Sequence, residues 1–564
     1  MSKLSESSKA QIIKLLREGK LSSQEIAAKT GVSVGKVAAI KANLTRGTYG
    51  KSKESEEASR EKLPSKVTVQ RKLVNEEVTR EEVGRWLWGA ADILRGAVRP
   101  EGYGRYILPL LFFKRLSDVY LEEYEKALAE YKSEEVARQR FLHRFEMPEG
   151  CLWDDVRRVS TNVGAKLNDV LAEIAKANPP LDGVINRVDF NNPVELPVDR
   201  LVRLVEHFSQ KRLGNEDVSP DMLGDGYEYL LKMFNEEAPQ RAGEFYTPRE
   251  VVRVLVEVLK PEEGFEVYDP CCGSGGMLIE SYYYLVRAGK DPKKLFLFGQ
   301  EINADTWTLA KMNVILHGLE AEIHQGDTFA DPKFLEGGGL KRFDLVIANP
   351  MWNQKGYKSL MENDRFGRFQ YGIATKSSAD WGWIQHMLAS LKPSGRMGIV
   401  LDQGALFRGE AEGRIRRRVV EADLVECVVA LPEKLFYNTG APGCLIFLEK
   451  KKLPEKRGKV LFIYAAETFE KLRNMNRLRD SDIGKIVKAH ETFEDAPKYA
   501  RVVGVDELKK SDYNLSVTRY VDIFDKPKPI DVAQVWKELK ELEEERQATE
   551  EQLREYLREL GYEH

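Results

Sequence analysis

Asn349-Pro350-Met351-Trp352 follows the apolar run Phe343-Asp344-Leu345-Val346-Ile347-Ala348, and its residue types suit recognition of an amino group on a flat ring. Asn349 offers an amide oxygen, Pro350 a carbonyl with no competing N–H, and Trp352 a broad apolar face. Two acceptors can take both hydrogens of an exocyclic amine while the ring that carries it stacks. An apolar run of this length reads as a buried parallel strand. The tetrad then lies just past a strand's carboxyl end, where open α/β sheets bind ligands. Alone, the tetrad also fits a Pro-set turn beside a core Trp, so the residues upstream decide.

Phe265-Glu266-Val267-Tyr268-Asp269 reads as a second buried strand. It runs into Pro270-Cys271-Cys272-Gly273-Ser274-Gly275-Gly276 and then the helical pattern from Met277. A glycine-rich turn between strand and helix lets a ligand approach the backbone at the positive end of the helix dipole. The turn lacks the Lys-Ser/Thr of a phosphate loop and the spacing of a dinucleotide fold, so a nucleoside with a compact zwitterionic tail fits it better than a polyphosphate. The next two apolar runs supply what a nucleoside needs. Leu295 to Gln300 ends in Glu301, where a carboxylate can accept both ribose hydroxyls. Glu322 to Gly326 ends in Asp327, placed to accept from an adenine amino group. A single acid at a strand end is usually a helix cap; Asp269, Glu301 and Asp327 closing three successive strands point to one cofactor site.

In this order, with Phe245-Tyr246-Thr247-Pro248 ahead of both, the residues resemble the S-adenosylmethionine-dependent amino-methyltransferases of DNA. Longer stretches narrow the resemblance to the methylation subunit of type I restriction-modification systems. They are Gly243 to Arg249, Ala379-Asp380-Trp381-Gly382-Trp383-Ile384-Gln385-His386-Met387, Leu406-Phe407-Arg408-Gly409, and Leu431-Pro432 through Phe436-Tyr437-Asn438-Thr439-Gly440. The resemblance covers roughly residues 71–564.

It implies an adenine-N6 DNA methyltransferase with S-adenosylmethionine as cofactor and no metal. It also assigns roles. Glu244, Phe245, Tyr246, Thr247, Pro248 and Arg249 would line the methionine end of the cofactor. Asp269, Gly273, Ser274, Gly275 and Gly276 would form the floor, Glu301 would hold the ribose and Asp327 the adenine. Asn349 and Pro350 would grip the target amine, and Trp352 would stack on its base. The family usually has Asn-Pro-Pro followed by Phe or Tyr. Trp352 keeps and enlarges the stacking face, whereas Met351 gives up the φ restriction of a second proline.

Five cysteines, Cys151, Cys271, Cys272, Cys427 and Cys444, show no paired metal spacing; vicinal Cys271 and Cys272 read as small residues packing a tight turn. The odd count fits a reducing cytosol, and no apolar run is long enough to span a bilayer, so a cytoplasmic protein is expected. The net charge of −3 over 564 residues excludes global attraction to nucleic acid and assigns DNA contact to local patches or a partner.

The expected fold is an α/β, Rossmann-like, mostly parallel methyltransferase sheet with all-α additions. Residues 1–46 read as a basic helix-turn-helix, 47–72 as a charged linker, and 73–235 as a helical domain in which Arg95, Arg99 and Arg105 are candidate phosphate contacts. The catalytic sheet takes 236–470, a connector 471–529, and a coiled-coil helix 530–564. Deleting 1–46 is expected to lower affinity for unrelated DNA and flatten its salt dependence, measured by titration at several salt concentrations; a protein-docking module would leave both unchanged.

No inserted domain is left to read DNA sequence, which implies a separate specificity subunit. Val532, Val535, Leu539, Leu542, Thr549, Leu553, Tyr556 and Leu560 recur at alternating spacings of three and four, a coiled-coil pattern; the resemblance implies that this helix docks on the specificity subunit, two copies of this chain per partner, with a nuclease subunit as a further possible member. The other readings open at this level are methylation of a protein glutamine or an RNA amine, and a non-catalytic adaptor that binds the cofactor for structure.

Overall fold

A computed structural model describes residues 80–219, 247–436, 439–473, 475–523 and 531–562, with a few isolated positions elsewhere. The helix-turn-helix and linker expected over 1–72 lie outside the described residues apart from single positions, and so do Glu244, Phe245 and Tyr246.

Nine strands form the central sheet of the described residues: β1 Glu266–Asp269, β2 Phe296–Glu301, β3 Glu322–Gln325, β4 Phe343–Ala348, β5 Leu391–Asp402, β6 Val425–Ala430, β7 Gly443–Glu449, β8 Lys459–Tyr464 and β9 Ala500–Gly504. Their order across the sheet is β9-β8-β6-β7-β5-β4-β1-β2-β3. β1 pairs parallel with β2 and β4, β3 with β2, β5 with β4, and β8 with β6. β7 runs antiparallel between β5 and β6, and β9 antiparallel to β8. The chain therefore leaves β1 for β2 and β3 on one side and returns to β4 on the other. β1 and β4 flank that reversal, and a crevice opens above their carboxyl ends.

β4 explains its own composition. Leu345 and Ile347 join the core on one face of the sheet, while Val346 and Ala348 join the core on the other. A strand covered on both faces has no polar side, and each fully buried Val, Leu or Ile contributes about 1.5–3 kcal/mol. α5 Arg249–Leu259, α6 Gly276–Arg287 and α10 Asp480–Thr492 pack together on one face; α8 Asp380–Ala389 and α9 Glu410–Glu421 serve the other.

Ahead of the sheet lie α1 Arg80–Leu94, α2 Tyr103–Tyr131, α3 Val163–Ala177 and α4 Val198–Ser209. On α4, Leu201, Leu204, Val205 and Phe208 are buried, the three-and-four spacing of one helical face. This helical core takes in Met312 and Leu316 of α7 Ala304–Leu316, so the helical part is packed against the edge of the sheet domain that carries β2 and β3. Arg95 and Arg105 pair with Asp92 and Glu195 at 2.9 and 3.1 Å, while Arg99 is exposed.

Of the stretch 471–529, expected as a connector, the described residues 475–523 are built into the sheet domain instead. They supply β9, and they supply α10, whose Ile483 and Ile486 are buried in the core beside α5. A five-residue edge strand carries too short a pattern to be read without its partner β8. α11 Val532–Glu559 is capped by Asp531, which accepts from Ala533 and Gln534 N–H, and has no buried residue. Its apolar stripe is open to solvent, with Leu542 61% and Tyr556 62% exposed.

Candidate active site

The loops after β1, β2, β3 and β4 converge on one cleft lined by Asp269, Cys271, Gly273, Ser274, Glu301, Asp327 and Asn349, with Thr247 and Arg249 at one end. Two glycines shape the first loop. Gly273 and Gly275 have φ of 53° and 81°, a region that costs any residue with a Cβ. At Gly273 and Gly276 a Cβ would meet nothing within 4 Å, so the glycines leave open a cradle that side chains would fill.

The acids are held by backbone donors. Asp269 Oδ1 accepts from Cys271 N–H at 3.0 Å. Glu301 accepts from Gly273 N–H at 3.0 Å and Asn303 N–H at 2.8 Å, so the ribose candidate also fastens the glycine turn. A carboxylate has about four acceptor sites, which leaves Glu301 capacity for hydroxyls. Asp327 Oδ1 accepts from Phe329 and Ala330 N–H at 2.8 and 3.3 Å, so it is a turn cap as well as a cleft residue.

Burial, with the Glu301 charge adding to it, pushes the Asp269 carboxyl up to about 8. Burial likewise drives the Cys271 and Cys272 thiols well above their ordinary range. Neither cysteine is then a thiolate nucleophile.

At the tetrad, Asn349 Nδ2 donates to Thr247 Oγ1 at 2.8 Å and Oδ1 accepts from Trp352 Nε1 at 3.1 Å. The indole N–H is donor-only, so it fixes which end of the amide carries oxygen. Thr247, expected at the methionine end of the cofactor, thus also orients the Asn349 amide. Trp352 packs edge-on against Phe436, with centroids 4.8 Å apart at 72°. Its ring lies between this contact and Asn349, half-buried, while Met351 is 40% exposed. Arg249 faces buried Glu280 of α6 at 3.9 Å.

Sequence reasoning quoted the segments around Asp380 and Arg408 without giving them a task. They hold the loop that follows the tetrad. Asp380 Oδ1 accepts from Asn353 N–H at 3.0 Å, and Asn353 sits at φ 55°. Arg408 donates to Asn353 Oδ1 and Asp380 Oδ2, and to Glu412 and Asp402 at 2.7 and 3.3 Å. Burial raises the Asp380 carboxyl to about 6 even against Arg408. Only their recurrence with the other segments could have flagged them.

A cleft of acceptors around an open glycine cradle on this sheet order defines an amino-methyltransferase. The family model described as N-6 DNA methylase matches residues 218–528, and that of the HsdM N-terminal domain matches 83–208. The methylase subunits of the type I restriction enzymes MjaVIII and MjaVII of Methanocaldococcus jannaschii are 37% identical over 511 residues and 39% over 497, spanning 86% and 82% of both chains in each pair. The crystal structure of a type I restriction-modification methyltransferase subunit from Streptococcus thermophilus superposes with TM-score 0.70 at 29% identity, covering 79% of this chain and 100% of that one. This chain belongs to the N-6 DNA methylase family, as a type I restriction-modification methylation subunit, and its cofactor is S-adenosylmethionine.

The residues present fit that group. The cradle is open at Gly273 and Gly276, and the surrounding carboxyls suit a ligand with a positive sulfonium, two hydroxyls and an amino group. A cation next to Asp269 favours its ionised form. Cofactor uptake at pH 7 is therefore expected to release up to one proton and to tighten as pH rises from about 6 to about 8, because the free carboxyl titrates at about 8. Calorimetry in buffers of different ionisation enthalpy reads the proton directly. S-adenosylhomocysteine, which lacks the sulfonium charge, should release less; identical heats in all buffers would refute the expectation.

Proposed function

We propose that this chain transfers a methyl group to adenine N6 in double-stranded DNA after the base is flipped, with the sequence chosen by a separate specificity subunit. The observation that carries the reading is the Asn349 amide, oriented by Thr247 and Trp352 and lining the same cleft as the glycine cradle. The cofactor, when bound, supplies an electrophilic methyl group. Everything else falls to the chain. An adenine amine is a poor nucleophile because its lone pair is delocalised into the ring. Asn349 Oδ1 and the Pro350 carbonyl accept its hydrogens, draw the nitrogen toward tetrahedral geometry and stabilise its developing charge. Asn349 Oδ1 spends one of its two lone pairs on Trp352, and the second serves the amine. Trp352 turns from Phe436 onto the flipped base and offsets part of the few kcal/mol that unstacking costs. Asp269 and Gly273 to Gly276 form the floor under the methionine and ribose, Glu301 takes the ribose, Asp327 the adenine, and Thr247 to Arg249 the methionine end.

The test is transfer of a labelled methyl group by the full chain with its specificity partner. N6-methyladenine in duplex DNA is expected; label on protein or RNA alone would overturn the reading.

The partner surface is α11. A lone 28-residue helix with an exposed apolar stripe needs a mate to be stable, and the long helices of a specificity subunit, shared between two copies of this chain, supply one. Truncation at Pro529 is expected to abolish co-purification with that subunit. Cofactor affinity of the shortened chain should stay within about two-fold, since α11 buries nothing against the sheet domain. Retained co-purification would count against this assignment.

A further inference from the structure

The loop that follows the tetrad departs from the rest of the chain in charge. Residues 351–379 carry Lys355, Lys358, Arg365, Arg368 and Lys376 against Glu362 and Asp364, a net charge of +3 in a chain of −3. Glu362 is taken up by Lys358 at 3.5 Å, and Asp364 by buried Arg368 at 2.7 Å. Lys355 and Lys376 are exposed, and neither has an ion-pair partner among the described residues. The arginines of the helical part offer less, because Arg95 and Arg105 are engaged by Asp92 and Glu195.

Two cross-links bring these lysines together beside the amine pocket. Asn353 N–H donates to Asp380 Oδ1 at 3.0 Å, and Gly356 N–H to the Lys376 carbonyl at 3.1 Å. Between them, Gln354 Oε1 accepts from the buried Trp383 Nε1–H at 3.1 Å, and Gln354 Nε2 donates to the Tyr357 hydroxyl at 2.9 Å. Gly356 turns the chain at φ 89°, a conformation that side chains with a Cβ rarely adopt. The backbone under Lys355 and Lys376 is thus fastened, while their flexible stems let each ammonium seek an anion. The hydroxyls of Thr375 and Ser377, 3.0 Å apart, add donors to the same rim. Lys355 follows Trp352 by three residues, which keeps the two Cα atoms within about 11 Å of each other.

We propose that Lys355 and Lys376 form a phosphate clamp for the DNA strand that carries the target adenine, gripping the phosphodiesters next to the flipped nucleotide. The inference rests on the reading of the tetrad as the pocket for a flipped adenine in duplex DNA. A base drawn into that pocket brings its own sugar and phosphates to the rim, where two unpaired cations displace counterions and take up the charge. Lysine suits the task. A point charge on a mobile stem follows a backbone without reading sequence, and so leaves that choice to the specificity subunit.

The test is the salt dependence of duplex DNA binding by the full chain with its specificity partner. Lys355→Gln and Lys376→Gln are each expected to flatten the slope of log affinity against log salt by about 0.9, and the double variant by about 1.8. Lys355→Arg and Lys376→Arg keep the charge and should keep the wild-type slope. Exposed Lys290 lies at the other end of the sheet, where the Asp291 N–H meets Glu263 ahead of β1. Lys290→Gln removes the same charge from the chain and should leave the slope unchanged. Affinity for S-adenosylhomocysteine should stay within about two-fold throughout, because neither Lys355 nor Lys376 lines the cofactor cleft. A slope unchanged in the double variant, or flattened as much by Lys290→Gln, overturns the clamp alone. A wild type that transfers no methyl group to duplex DNA overturns the target pocket and the clamp with it.

Discussion

Asn349→Ala is expected to slow methyl transfer by at least about 10²–10³-fold, the effect of deleting one preorganised polar group that acts on charge developing in a transition state. The substitution removes the amide oxygen presented to the amine and leaves Thr247 Oγ1 and Trp352 Nε1 without their mutual partner. The cradle is untouched, because the glycine turn is fastened by Glu301 and Asp269 through their own backbone donors. Affinity for S-adenosylhomocysteine should therefore stay within a few-fold while transfer collapses. Single-turnover transfer of labelled methyl to duplex DNA, beside calorimetry of the cofactor product, separates the two. Transfer at the wild-type rate would mean that the target amine binds elsewhere.

Arg408→Met is expected to cost about 3 kcal/mol of stability. Three acids converge on this guanidinium, and two are nearly sealed from water: the side chains of Asp380 and Glu412 are 0% and 2% exposed. Removing the cation leaves buried charge without compensation, which typically costs about 3–5 kcal/mol; the lower end applies because Arg408 itself is 28% exposed.

The pH dependence follows in sign. Asp380 has a folded-state value of about 6 against an ordinary 3.8, so the folded protein holds the proton more tightly than the unfolded chain. Its contribution is most favourable below about 4 and is lost as pH rises through about 6. Without Arg408 the carboxyl clings to its proton still more, and the variant's deficit should shrink as pH is lowered from 8 toward 5. Denaturant midpoints at several pH values measure this. A deficit that grows on acidification would show that the Arg408 charge is not what holds the cluster. The same variant removes the donor that Arg408 presents to Asn353 Oδ1 and so loosens the loop after the tetrad, and transfer should fall along with stability.

The strands and the strand-end acids were open to reading because burial on both faces leaves a continuous apolar run, and a run that ends in a polar residue marks the lip of the crevice. β1, β2 and β4 and the residues Asp269, Glu301 and Asn349 came from that logic. What stayed hidden depends on partners distant in sequence. Thr247 meets Asn349 across 102 residues, and Arg408 meets Asn353 across 55; no local period announces either. Trp352 was legible as an aromatic face, but its resting position against Phe436 is set by packing with a loop beyond β6. The 471–529 stretch escaped for a related reason: β9 is recognisable only as the antiparallel neighbour of β8.

The indole that caps the Asn349 oxygen also bears on what happens between encounters. With one lone pair of its oxygen engaged by the indole at 3.1 Å, the carboxamide keeps its orientation while the cleft is empty, and the other lone pair stands ready for an arriving amine without any prior rearrangement.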